Sequence, residues 1–267
     1  MSTGWKQISG SWYYFQANGA QLSNVWISDG GKWYYLELSG AMAAGKWVSS
    51  DGRWYYVDAD GAMVTGWKMV DGAWYYLQPN GAMATGWQQI GGTWYYLQPS
   101  GAMTTGWTNI GGTWFHFNDS GAMSTGWQQI GGSWYYFQPS GAMTTGWQQI
   151  GETWYYLQPS GAMTTGWQAI DGSWYYFQPS GAMAIDWQQI DGSFYYLGNN
   201  GAMATGWKWV HWHWYYFQSN GAMVRNQWVD NYYVNENGAM TINRTMTIDG
   251  RSYTFDGNGH WSTSAAG

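Results

Sequence analysis

Two tryptophans seven positions apart, Trp87 and Trp94, recur as Trp67 and Trp74, Trp107 and Trp114, Trp127 and Trp134, Trp147 and Trp154, and Trp167 and Trp174. Tryptophan offers no nucleophile and no titratable group. It offers a flat, electron-rich face. A box of such faces with few carboxylates nearby suits a quaternary ammonium group, whose charge is attracted to each ring by roughly 0.5 to 2 kcal/mol. A phosphate or a metal ion would require different residues.

Other chemistries lack their residues. Catalysis needs convergent titratable groups, yet Asp29, Asp51, Asp60, Asp71, Asp171, Asp191, Asp249 and Asp256 each precede glycine, which is turn chemistry. Histidine occurs only at His116, His211, His213 and His260. His211 and His213 lie near one hairpin tip without a third metal ligand in sight. No glycine-rich phosphate loop leads into a helix, and serine has no local histidine partner. The chain reads as non-catalytic, with no cofactor and no metal.

Composition narrows the partner. The 267 residues include 25 Trp, 23 Tyr, 8 Phe and 40 Gly, against 9 Lys and Arg and 15 Asp and Glu. A net charge of −6 leaves no basic stripe for a phosphate backbone, so the aromatics are not a nucleic-acid stacking surface. No apolar run is long enough for a membrane span, and no secretion signal is visible at the start. The absence of cysteine removes disulfides and thiolate metal sites.

The elements that must position the tryptophans follow from a repeat. Gly-Trp pairs at Trp67, Trp87, Trp107, Trp127, Trp147, Trp167 and Trp207, with Asp-Trp at Trp187, fall 20 residues apart or at multiples of it. Gly-Ala-Met recurs from Met42 to Met240, with its methionines 20 apart throughout from Met63 to Met223. About 12–13 repeats make a single array over residues 1–267, with irregular 21-residue units over 1–62, regular 20-residue units over 63–227 and a degenerate C-terminal cap over 228–267.

One unit, GWQQIGGTWYYLQPSGAMTT at residues 86–105, predicts two short strands around a two-residue turn at Gly91-Gly92. That turn puts Ile90 opposite Thr93, Gln89 opposite Trp94, Gln88 opposite Tyr95 and Trp87 opposite Tyr96. Side chains alternate between faces along a strand. Trp87, Gln89, Trp94 and Tyr96 then share one face, and Gln88, Ile90, Tyr95 and Leu97 the other, where Tyr95 and Leu97 are expected to be core. A lone hairpin is marginal in water, so each must bury a face on its neighbours. The expected fold is all-β, an elongated solenoid of stacked hairpins. The segment Gln98-Pro-Ser-Gly-Ala-Met103 is the connector, with methionine a flexible apolar plug.

TGW followed by GGTWYYLQPSGAM, repeated end to end over essentially the whole chain, resembles the choline-binding repeats of bacterial cell-wall proteins. The resemblance implies a left-handed superhelix with choline held between neighbouring hairpins. The cage would comprise the Gly-Trp tryptophan and the Trp of Trp-Tyr-Tyr from one repeat, the second Tyr of the next, and a connector methionine such as Met83, Met123, Met143 or Met163. Carried over, the cages are Trp5, Trp12 and Tyr35; Trp26, Trp33 and Tyr56; Trp47, Trp54 and Tyr76; Trp67, Trp74 and Tyr96. They continue as Trp107, Trp114 and Tyr136; Trp127, Trp134 and Tyr156; Trp147, Trp154 and Tyr176; Trp167, Trp174 and Tyr196; and Trp207, Trp214 and Tyr233. Two sets depart from the pattern and are expected to be weak or empty. Trp87 and Trp94 would meet His116, whose protonated ring repels a cation, and the Trp187 and Tyr216 cage carries Phe194 in place of its second tryptophan.

The implied partner is phosphocholine on teichoic or lipoteichoic acids at an extracellular bacterial surface, bound by many weak cages acting together. Such arrays are often the anchoring half of a longer protein. MSTGW at residues 1–5 repeats residues 123–127, which puts Met1 at a connector position and suggests an array cut from such a protein. Two alternatives remain. Glutamines such as Gln88 and Gln89 suit a glucan-binding module, and a structural or protein-binding stalk would take no small ligand.

Overall fold

The computed structural model describes residues 3–263, so the connector position expected for Met1 lies outside the described residues. The chain is all-β, a series of two-stranded antiparallel hairpins ending in a three-stranded sheet of Arg244–Ile248, Arg251–Phe255 and Trp261–Thr263. No helix among the described residues is long and apolar enough to cross a membrane. The chain divides into two compact units, Met1–Gln128 with Phe137–Met143, and Gln129–Tyr136 with Thr144–Gly267. The strands Gly126–Ile130 and Ser133–Phe137 contain the boundary.

Within the first unit, the hairpin of Gly86–Ile90 and Thr93–Leu97 has the expected register: Trp87 pairs with Tyr96, Gln88 with Tyr95 and Gln89 with Trp94. In the second unit, Trp147 pairs with Tyr156 and Gln149 with Trp154 in the same way. The turn enforces this register. Gly91 and Gly92 have φ of 58° and 84°, and Asp171 and Gly172 have 50° and 81°. Both central positions are left-handed, as in the turn whose twist matches two paired strands. His211 and Trp212 occupy these positions in the hairpin of Gly206–Val210 and His213–Phe217, with φ of 46° and 71°. Their side chains give no steric relief there.

The connector binds each hairpin to the one before. After the hairpin that ends at Leu97, Gln98 N–H donates to Ala102 O at 2.8 Å and Gly101 N–H to Gln98 O at 2.7 Å, which reverses the chain. Thr104 N–H then donates to Tyr96 O of its own hairpin, while Met103 N–H donates to Trp74 O of the preceding one. In the second unit Met183 N–H donates to Trp154 O in the same manner, at 2.8 Å. A single extended residue therefore joins successive units through the backbone, where edge groups would otherwise stay unpaired.

Within each unit the buried residues recur hairpin by hairpin. The last residue of most second strands, such as Leu77, Leu97 and Phe117 in the first unit or Leu157, Phe177 and Leu197 in the second, is fully buried, while Phe15 of the first hairpin is half-buried. Leu97 thus lies where the alternation puts it. Tyr95, expected as core, is only half-buried, because it packs on Trp67 of the preceding repeat at the edge of a cleft. Glycine stands beside methionine for a steric reason. A Cβ added at Gly121 would meet Met103 Sδ at 2.3 Å, and Gly121 has φ of +79°.

Gly121→Ala should therefore lower stability by about 1–3 kcal/mol, from left-handed strain and displacement of Met103. A urea or thermal midpoint unchanged from the parent would overturn this account of the glycine.

Candidate ligand-binding cages

Alternation along the strands gives every hairpin two unlike faces. In a hairpin with two tryptophans, such as Gly86–Ile90 with Thr93–Leu97, one carries both tryptophans and the second aromatic of the Trp-Tyr-Tyr run; the other carries the first aromatic and the buried residue. Within each unit, the second kind of face packs on the first kind of the preceding hairpin. Trp87 meets Phe115 at 4.9 Å and Phe117 at 5.7 Å between ring centroids. Trp147 meets Tyr175 at 4.9 Å and Phe177 at 5.7 Å.

Clefts form where these faces meet. In the second unit Trp147, Trp154 and Tyr175 enclose one of about 400 Å³, with Met183, Asn199 and Asn200 completing the lining. Trp147 and Trp154 stand nearly perpendicular, 82° apart with centroids at 6.3 Å, so they form two walls and Tyr175 a third. In the first unit Trp26, Trp33 and Tyr55 with Met63 enclose about 340 Å³, and Trp87, Trp94 and Phe115 with Met123 about 460 Å³. Trp207, Trp214 and Tyr232 with Met240 form another, of about 300 Å³. These volumes sit at the lower end of the roughly 300–1,000 Å³ usual for small-molecule sites. The outer tryptophans keep accessible surface: Trp94 and Trp154 are each 41% exposed. None of these four clefts has a carboxylate in its lining. Among the described residues no group of three or more His, Asp or Glu is placed to hold a metal ion.

Trp5 and Trp12, Trp26 and Trp33, Trp87 and Trp94, Trp147 and Trp154, and Trp207 and Trp214 lie together, but the third wall is a different residue from the one the resemblance assigns. The resemblance assigns the second tyrosine of the next repeat, and the structure brings the first. Tyr34 meets Trp5, Tyr55 meets Trp26, Tyr75 meets Trp47 and Tyr95 meets Trp67. Tyr195 meets Trp167 and Tyr232 meets Trp207. The expected partners Tyr35, Tyr56, Tyr76 and Tyr96 face Trp26, Trp47, Trp67 and Trp87 of their own hairpins instead. Tyr156, Tyr176 and Tyr196 likewise face Trp147, Trp167 and Trp187, while Tyr233 faces Trp228. The reason is alternation: the second tyrosine shares its own tryptophans' face and cannot also lie on the face presented to the preceding hairpin. Trp107, Trp114 and Trp127 belong to the first unit and Tyr136, Trp134 and Tyr156 to the second.

Both sets expected to be weak are also built differently. Phe115, not His116, completes the Trp87 and Trp94 cleft. His116 faces Trp107 of its own hairpin at 5.1 Å, and its Nδ1 is hydrogen-bonded to Ser124 Oγ at 2.9 Å. Burial pushes the imidazole pKa below its usual value, with the Asp119 carboxylate opposing that shift. In the Trp187 and Phe194 cleft the third wall is Tyr215, and Tyr216 faces Trp207.

Of the expected methionines, Met123 lines a cleft, and Met83, Met143 and Met163 N–H groups donate to Trp54, Trp114 and Trp134 O. Met63, Met183 and Met240, absent from the expected set, hold the equivalent position. Their place in the Gly-Ala-Met repeat was the available signal. Also unforeseen is a polar rim from the connector two repeats on: Pro79 and Asn80 at the Trp26 cleft, Pro139 and Ser140 at the Trp87 cleft.

Comparison with known proteins places this geometry. A choline-binding repeat model matches successive overlapping stretches from residue 2 to residue 228, and a second choline-binding repeat model matches residues 222–261. The chain belongs to the choline-binding repeat family. Its fold is similar to CbpJ from Streptococcus pneumoniae TIGR4, at 36% identity and a TM-score of 0.68, covering 89% of this chain and 100% of that one. Choline-binding protein F from Streptococcus pneumoniae aligns at 33% identity with a TM-score of 0.64, over 90% of this chain and 100% of that one. The modular autolysin LytC of the same organism aligns at 28% identity and a TM-score of 0.56, over 79% of this chain and 51% of its own length. A search of the curated proteins finds no match. Choline-binding repeats thus account for almost every hairpin, including the short one at Gln227–Val229 and Tyr232–Val234.

The half-buried imidazole makes one repeat pH-sensitive. Because folding depresses the His116 pKa, the unfolded chain binds its proton more readily. The contribution to stability is complete above the unfolded value of about 6.5 and is lost as pH falls from there through the depressed folded value. Urea midpoints measured at about pH 7.5 and about pH 5 should fall more for the parent than for His116→Tyr. Equal losses would contradict the assignment.

Proposed function

We propose that the chain is a non-catalytic cell-wall-binding module that anchors to phosphocholine on teichoic or lipoteichoic acids at a bacterial surface. The observation that carries the reading is the three-walled aromatic box repeated in both units, as at Trp26, Trp33 and Tyr55 and at Trp147, Trp154 and Tyr175. Faces at near right angles let a roughly spherical trimethylammonium head touch several rings at once, each worth about 0.5–2 kcal/mol. Methionine supplies a soft apolar floor. Neutral or weakly polar linings, with no carboxylate in these boxes, suit a weakly hydrated cation better than a metal ion. Membership of the family and the likeness to two pneumococcal choline-binding proteins support the same ligand.

Each box is weak alone. A polymer bearing many choline groups turns later contacts into intramolecular ones, so that avidity exceeds single-site affinity by orders of magnitude. No cofactor or metal enters this reading; choline is the ligand.

A thermal melt followed by near-UV circular dichroism tests it. Millimolar choline should raise the midpoint, since a ligand at 100 times its dissociation constant adds about 2.7 kcal/mol per site, while glucose and a dextran oligomer should not. A rise with the sugars alone would reassign the clefts to glucan, and no rise with either would leave a stalk. The third wall is tested separately. Tyr175→Leu should weaken choline binding at the Trp147 cleft roughly 2- to 30-fold, read at the Trp154 indole N–H by NMR, matching the loss of one cation–π contact. Tyr176→Leu should leave that resonance's titration nearly unchanged, and the opposite ranking would restore the second tyrosine as the wall.

A further inference from the structure

One cleft differs from the four described above by having a cation in its lining. It is lined by Trp187, Phe194, Tyr215, Met223, Arg225 and Glu236, among others. Phe194 stands where Trp154, Trp174 and Trp214 stand in their repeats, and Arg225 where Thr105, Thr165 and Thr205 stand in theirs. The two departures meet in space. The Arg225 guanidinium carbon lies over the Phe194 ring, 5.3 Å from its centroid.

Two further observations show that the guanidinium covers this face. Phe194 is half-buried, whereas its counterparts Trp154, Trp174 and Trp214 are 41%, 48% and 41% exposed. The cleft holds about 240 Å³, against about 400 Å³ at Trp147 in the same unit. A guanidinium is permanently charged, weakly hydrated and stacks readily on aromatic faces. A quaternary amine entering here would have to displace it from the ring and tolerate a like charge at close range.

We propose that Arg225 is the resident cation of the Trp187, Phe194 and Tyr215 cage, and that this cage is closed to quaternary amines. It serves instead as a staple from the connector after the hairpin ending at Phe217 back to the hairpin that holds Phe194. The inference rests on the reading that the open cages take such amines.

The test restores residues that neighbouring repeats already tolerate. Choline sites are counted by equilibrium dialysis on the full chain. Arg225→Thr combined with Phe194→Trp should gain one site over the parent, and Phe194→Trp alone should gain none, because the guanidinium then sits on a still better ring. An unchanged count in the double variant, or a gained site in Phe194→Trp alone, overturns the proposal. A ligand-free measurement separates it from the function. The Arg225 Hδ resonances should be shifted upfield by ring currents in the parent and should lose that shift in Phe194→Leu. Unshifted resonances in the parent overturn the proposal whatever the binding data. If the parent takes up no choline at all, the proposed function falls, and the resonance alone decides whether Arg225 fills this cage.

Discussion

The contact on which the structure depends is the edge of one aromatic ring against a tryptophan of the preceding hairpin, as where Tyr175 meets Trp147 at 4.9 Å and 69°. A two-stranded hairpin alone is marginal in water. Most repeats bury one Leu, Phe or Val fully, worth about 1.5–3 kcal/mol, which is small beside the roughly 1–2 kcal/mol lost per residue in fixing the backbone. Stability must then come from between repeats. The ring contact adds about 0.5–1.5 kcal/mol beyond the area it buries, and the Met183 N–H to Trp154 O bond closes the same junction through the backbone.

Because that junction is also the cleft, folding and the proposed recognition share their residues. Trp147 and Trp154 come from one hairpin, Tyr175 from the next, Met183 from its connector and Asn200 from the connector beyond. No repeat owns a site. On the proposed function, sites belong to junctions rather than to units, and the nearest-neighbour logic of repeat proteins would govern binding as well as stability. An occupied cleft adds contacts to both hairpins at once, which couples ligand uptake to the order of the array.

Departures from the repeat are informative against this background. Substituting His for Tyr at position 116 leaves the third wall of the Trp87 cleft untouched, because position 116 faces its own hairpin. Its consequence is a half-buried imidazole, a matter of stability. Substituting Phe for Trp at position 194 changes a wall directly, and it coincides with an arginine that lies on the substituted ring. Whether a substitution alters recognition therefore depends on which face of the hairpin it occupies.

The sequence by itself determined the hairpins, their register and the pairing of the tryptophans. Those features are local: a left-handed two-residue turn such as Gly91-Gly92 sets which residues face each other, and period-two alternation sets which share a side. Even the third wall was within reach of that logic, since Tyr96 shares a face with Trp87 and so leaves Tyr95 for the preceding repeat. What alternation does not say is how far a connector two repeats away reaches, or where a long flexible side chain comes to rest. Pro79 and Asn80 at the Trp26 cleft, and Arg225 on Phe194, depend on the advance from one hairpin to the next and on side-chain packing across it. Only the tertiary structure decided these, because they are distances between residues that no strand or turn holds in fixed relation.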